Sequence, residues 1–146
     1  MRRNLSPSDL GNLLEQPILA VLATRLADGS TLLSPVWHEW ADAGFRIAIP
    51  EGDVKLAHMR GDSRVSIVVA ENLLPYRGIE VRGRASISSD PYPATMRRLA
   101  LRYFGPGADE LYPDSAAGAV VRIEPERIRC WDFADDMNAI EGHESR

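Results

Sequence analysis

The stretch from Gly78 to Ser88 most constrains what this chain can become. Ile79, Val81, Ala85 and Ile87 alternate with Glu80, Arg82, Arg84 and Ser86, a period of two that suits an extended strand with one buried face. Such a strand needs hydrogen-bonding neighbours, so the rest of the chain must supply further strands. Gly83 interrupts the pattern and marks a bulge or a close backbone approach.

The neighbours are legible. Ile18 to Thr24 is a nearly continuous apolar run, as expected of a strand covered on both faces. Asp28-Gly29 is a hairpin signal, and Thr31 to Trp40 reads as the return strand. Ala41 to Gly44 turns the chain into Phe45-Arg46-Ile47-Ala48-Ile49. Arg64 to Val69 is another strand. Ala117 to Ile123 and Arg127 to Phe133 read as a last pair joined by a turn at Glu124-Pro125-Glu126.

Three helices complete the set. Ser6-Pro7-Ser8-Asp9 opens the first, with Leu10, Leu13 and Leu14 on its apolar face and Pro17 as its stop. Asp53 caps a short helix that Gly61 ends. Asp90-Pro91 opens the third, striped by Met96, Leu99 and Tyr103 and closed by Gly105-Pro106-Gly107. About seven strands joined mostly by hairpins predict a mainly β fold, an antiparallel barrel with flanking helices. The expected organisation is one domain over residues 1–134 and a polar tail over 135–146 that frays.

The bulk numbers exclude several functions. A net charge of −4 argues against bulk attraction to nucleic acid or an anionic membrane, although it leaves room for a local basic pocket. One cysteine, Cys130, rules out an intramolecular disulfide and fits a reducing compartment, so a cytoplasmic location is expected. No apolar run approaches the roughly 18 residues of a membrane helix. The chain has no G-x-G-x-x-G after a strand, no P-loop and no G-x-S-x-G elbow. His38-Glu39 begins like a zinc-protease motif, but Asp42 stands where the second histidine belongs. His58 and His143 share no metal spacing with Cys130, so no metal site is expected.

What remains suits a phosphorylated planar ligand. Lys55 is the only lysine; every other cation in the Lys+Arg count of 17 is arginine. It falls in the first turn of the short helix, where free backbone N–H groups and the helix dipole favour an anion. A surface lysine left by chance is the equally plain alternative for this residue alone. Ser34-Pro35-Val36-Trp37 lies on a strand that Pro35 weakens by removing a donor. Ser34 offers a hydrogen bond, and Trp37 a stacking face or core packing. Trp37 and Trp40 differ by three and should point to opposite sheet faces. Ile49-Pro50 ends a strand just before the Lys55 helix, offering free backbone groups to a ring edge.

Taken in order, these stretches resemble a known family. Leu22-Ala23-Thr24 with Asp28-Gly29-Ser30, Leu33 to Trp37, Lys55 to Asp62, Arg64 to Ile67, Tyr76 to Ala85 and Pro125 to Arg129 with Trp131 carry the likeness. They are similar to the pyridoxamine 5′-phosphate oxidase-like, FMN-binding split β-barrel superfamily, closest to its coenzyme F420-dependent flavin/deazaflavin oxidoreductase branch. The resemblance implies a homodimer with two cofactor sites at the subunit interface. It places Lys55 on the cofactor phosphate. His58 and Met59 stand where the family often has asparagine and leucine, and Val54 where arginine is frequent, departures that loosen the phosphate grip. Tyr76 and Arg77 would either reach a partner's cofactor or belong to a surface loop with no role, and Arg77, Arg82 and Arg84 would either meet the acidic tail of coenzyme F420 or be solvated strand residues.

The implied function is hydride transfer from a reduced deazaflavin to a small conjugated or hydrophobic substrate, with the cofactor carrying the chemistry. No catalytic acid or base stands out. FMN is the alternative cofactor. A non-catalytic protein that binds F420, FMN or haem is the alternative class, and a ligand-free structural dimer is the plainest one. Oxidation of pyridoxamine phosphate itself is not expected, because no second arginine-and-histidine cluster lies near the C-terminus.

Overall fold

The structure, a computed structural model, describes residues 1, 2 and 4–136. Seven strands form one antiparallel sheet curled into a half-barrel: β1 (Ala20–Arg25), β2 (Thr31–Val36), β3 (Glu39–Ala41), β4 (Gly44–Pro50), β5 (Arg64–Ala70), β6 (Gly78–Ile87) and β7 (Gly118–Trp131). Their order is β2-β1-β5-β6-β7-β4-β3, so β2 and β3, consecutive in the chain, are the sheet's two edges. The barrel is split between them. The expected mainly β, antiparallel split barrel is what the structure contains.

Alternation drives the curl. Ala20, Leu22, Phe45, Ile47, Ile49, Val65, Ile67, Val69, Ile79, Val81, Val121 and Ile123 point inward into one core. The β1–β2 hairpin closes through Gly29 at φ 85°. Asp28 supports it by accepting from the Ser30 amide at 2.9 Å. Helix α1 (Val54–Gly61) drops Leu56 and Met59 into the core. Helix α2 (Tyr92–Phe104) lies outside, where Tyr92, Met96 and Leu99 pack on Val120, Ala48 and Trp37 as a second apolar layer.

Four expectations of the local structure need correction. The first helix is instead two 3-10 segments, Pro7–Leu10 and Leu13–Glu15, broken at Gly11, whose φ of 59° no α-helix accepts. The capping box of Ser6 and Asp9 is present nevertheless. Thr31 to Trp40 is not one strand: it breaks at Trp37-His38, where the His38 amide donates to the Tyr103 hydroxyl at 3.1 Å instead of to a neighbouring strand. Glu124-Pro125-Glu126 is no turn. β7 runs through it as a single 14-residue strand, with a register shift opposite Arg82/Gly83. Pro125 lacks an amide donor and sits opposite Gly83, and the bulge accommodates that gap. Finally, α2 begins after Pro91 without a side-chain cap; the Asp90 carboxylate lies 3.5 Å from Arg46 Nε instead.

Trp37 and Trp40 do serve opposite sides. Trp37 stacks on Tyr103 with centroids 5.1 Å apart, in the α2 layer. Trp40 meets Phe45 edge-on at 4.9 Å against the core. Of the expected polar tail, residues 137–146 lie outside the described residues.

Candidate functional site

At the split, the end of edge strand β2 faces the end of β4. The groove between them has a volume of about 230 Å³ and is lined by Pro35, Val36, Trp37, Ala48, Ile49, Pro50, Asp53, Lys55, Met96 and Tyr112. Three chain segments expected to meet a planar phosphorylated ligand therefore converge on one surface. Pairing explains the opening: β3 leaves β4 after Arg46, so the far edge of β4 from Ile47 onward has no strand beside it. Apolar walls stand on one side, and a single cation at the lip.

That cation is engaged. Lys55 Nζ donates to Asp53 Oδ2 at 2.9 Å, and the Lys55 amide donates to Asp53 Oδ1 at 2.9 Å. Asp53 thus caps α1 and occupies the anion position that an empty helix start would offer. Burial pushes the Asp53 carboxyl upward, but the hydrogen bonds and charge from Lys55 outweigh it and hold the group below the usual range. A phosphate would have to draw Lys55 away from this partner. The residues otherwise fit a ring-and-phosphate cofactor: mostly apolar side chains for the ring, and one lysine whose side chain is only 18% exposed.

Several expected site residues lie elsewhere. Ser34 points to the buried side of β2, opposite Pro35, and does not line the groove. Ile49 and Pro50 do line it, yet their backbone is less available than expected: both pair with β7, and the Pro50 carbonyl accepts from the Asp53 amide at 3.2 Å. Met59 is 4% exposed and belongs to the core, because it sits one turn beyond Lys55 on the inward face of α1. The His58 Nδ1 contacts the Thr24 hydroxyl at 3.1 Å on the side facing the β1–β2 turn. The Arg77 guanidinium is locked to Glu71 by two hydrogen bonds, at 2.9 and 2.8 Å, and to the Leu10 carbonyl at 2.8 Å, and the Arg77 amide donates to Glu71 Oε1 at 3.1 Å. Tyr76, at φ 56°, packs edge-on against Phe133.

Sequence reading missed Asp53, Ala48, Met96 and Tyr112 as groove residues. Asp53 was visible, two positions before Lys55, but read only as a cap. Met96 was read as part of a helix stripe, and nothing in the sequence says that this stripe ends at the split. Tyr112 arrives from a loop after α2 and carried no signal.

The other reactive groups are quiet. Burial pushes the Cys130 thiol up to about 11, so it is not a nucleophile near neutrality. No group of three or more metal-ligating side chains occurs among the described residues.

A curled seven-stranded antiparallel sheet, split between its first return strand and its third, with helices outside, is the pyridoxamine 5′-phosphate oxidase-like split barrel. Residues 9–132 match the pyridoxamine 5′-phosphate oxidase family, and the chain belongs to it. No curated protein matches the sequence. A solved structure titled F420 reductase is 29% identical, with TM-score 0.70, covering 80% of this chain and 93% of that one. A conserved hypothetical protein of Mycobacterium tuberculosis is 23% identical, with TM-score 0.72, covering 90% and 88%. A haem storage protein of Vibrio cholerae is 18% identical, with TM-score 0.64, covering 84% and 92%. The last two likenesses are of fold.

Proposed function

We propose that the groove holds a tricyclic flavin or deazaflavin, with coenzyme F420 favoured, and that the chain is an oxidoreductase acting on a small conjugated or hydrophobic substrate. The convergence of Pro35, Val36, Trp37, Ile49, Pro50 and Lys55 on one groove carries this reading. Likeness to an F420 reductase at 29% identity supports the choice of cofactor.

In this reading Trp37, Pro35, Met96 and Tyr112 bound the ring, and Lys55 meets the phosphate. A bound deazaflavin supplies the hydride; the chain's own residues orient the ring and exclude water on one face. About 230 Å³ falls short of the roughly 300–1,000 Å³ of enclosing ligand sites, so one protomer provides one wall. The outer face of β1 and β2 beside the groove exposes Leu19 (51%), Val21 (39%) and Leu33 (66%). We take this apolar face as the surface that a second copy covers, completing a homodimer with paired sites.

Fluorescence titration with coenzyme F420 and, separately, with FMN tests the proposal. F420 alone binding tightly supports it, FMN alone moves the protein to the flavin class, and neither binding overturns it. Lys55→Ala should weaken the bound cofactor at least tenfold; unchanged affinity would remove the phosphate role.

A further inference from the structure

The outer face of the sheet carries a second cavity, away from the groove. It has a volume of about 380 Å³ and is lined by Arg25, Thr31, Arg64, Ser66, Arg82 and Arg127, together with one carboxylate, Glu126. On β2, Thr31 stands four residues from Pro35 on the same outward row, roughly 13 Å along the strand. The two sites are thus distinct.

The arginines are placed against their own electrostatics. Arg82 on β6 and Arg127 on β7 are directly opposite in the register, and so are Arg64 and Arg84. Facing side chains of like charge, with Cβ atoms roughly 5 Å apart, destabilise a sheet. Carboxylates relieve only part of this. Asp62 takes Arg64 in two hydrogen bonds, at 3.1 and 2.8 Å. Glu80 reaches Arg82 at 3.2 Å but also lies 3.6 Å from Arg129. Glu126 reaches Arg84 at 3.6 Å. Among the described residues, Arg25 and Arg127 have no carboxylate within ion-pair distance, although the Arg25 charge makes a minor contribution to holding the Asp62 carboxyl below the usual range. The bulge at Arg82/Gly83 sits within this row, so the irregularity of β7 and the repelling pair coincide. In a chain of net charge −4, the local excess of guanidinium is a built feature.

We propose that this cavity binds a small polyanion, a molecule carrying two or more phosphate or carboxylate groups. Planar guanidinium forks grip such groups bidentately, and bridging anionic oxygens relieve the cross-strand repulsion. Ser66 and Thr31 hydroxyls supply neutral donors between the forks. This site does not depend on the cofactor reading of the groove.

Calorimetric titration of the intact protein with inorganic diphosphate, orthophosphate and citrate tests it. Diphosphate should bind at least tenfold more tightly than orthophosphate, and the citrate arm separates carboxylate from phosphate ligands. Arg25→Gln with Arg127→Gln should weaken diphosphate at least tenfold, while the melting temperature without ligand holds or rises as repulsion is relieved. Arg127→Lys, which keeps the charge and loses the fork, should weaken it several-fold. Exposed Arg2→Gln should change nothing. The proposal fails if diphosphate does not bind, if Arg2→Gln weakens it as much as the double variant, or if Lys55→Ala abolishes it, which would assign the anion to the groove.

Discussion

Three side chains carry the sharpest consequences at the residue scale. Asp53 competes with any phosphate for Lys55, so Asp53→Asn, which still caps α1, should tighten a phosphate-bearing cofactor several-fold while costing at most about 1 kcal/mol of stability. Paired fluorescence and thermal titrations check both halves. Arg77 is spoken for by Glu71, whose side chain is only 8% exposed. Arg77→Ala should cost about 2–3 kcal/mol by stranding that carboxylate, lowering the melting temperature with no change in cofactor affinity. His38 is fully buried, and neither ring nitrogen has a hydrogen-bond partner. Burial and the Arg102 charge lower its pKa from 6.5 to about 4, against a smaller opposing pull from the Ile18 carbonyl and Glu39. The unfolded chain then binds the proton more readily than the folded one, so stability falls as pH drops from 6.5 toward 4. The full loss is roughly 3 kcal/mol. Urea denaturation at pH 7 and pH 5 should show this slope in the wild type and a shallower one in His38→Leu.

Among the elements, the paired strands β6 and β7 set the shape. A Cβ at Gly83 would lie 1.9 Å from the Glu124 carbonyl oxygen, a backbone atom that cannot step aside. Gly83→Ala should therefore cost at least 2 kcal/mol, read as a lowered denaturation midpoint. Gly83 was legible in the sequence as a bulge or close approach because it broke a clean period of two. Pro125 was misread because a proline between two acidic residues looks like a hairpin turn. Only the partner strand shows that a missing donor is tolerated there. The same limit applies at Trp37-His38. Local pattern runs straight through it, and the break comes from the Tyr103 hydroxyl, 65 residues away. Lys55, Pro35 and Pro50 were legible as candidates, since each changes local backbone or charge, and the fold brings them to one groove. Met59 and Ser34 were misplaced because side-chain facing depends on which side of α1 and β2 the core lies.

For the whole molecule, the groove's single wall and the exposed Leu19, Val21 and Leu33 lead to a concrete expectation. Light scattering should give a mass near twice 16.2 kDa, and Leu33→Glu should yield monomers that bind the cofactor at least tenfold more weakly. A monomeric wild type with full affinity would refute that assembly. The sheet order carries one more consequence. β7 alone joins β6 to β4, so the four strands β2-β1-β5-β6 and the pair β4-β3 share no ladder without it. During synthesis that connecting strand is the last of the seven to emerge. A nascent chain halted before Gly118 would hold two separate sheet fragments with open edges, which makes this interval the one in which chaperone capture and misassembly should concentrate.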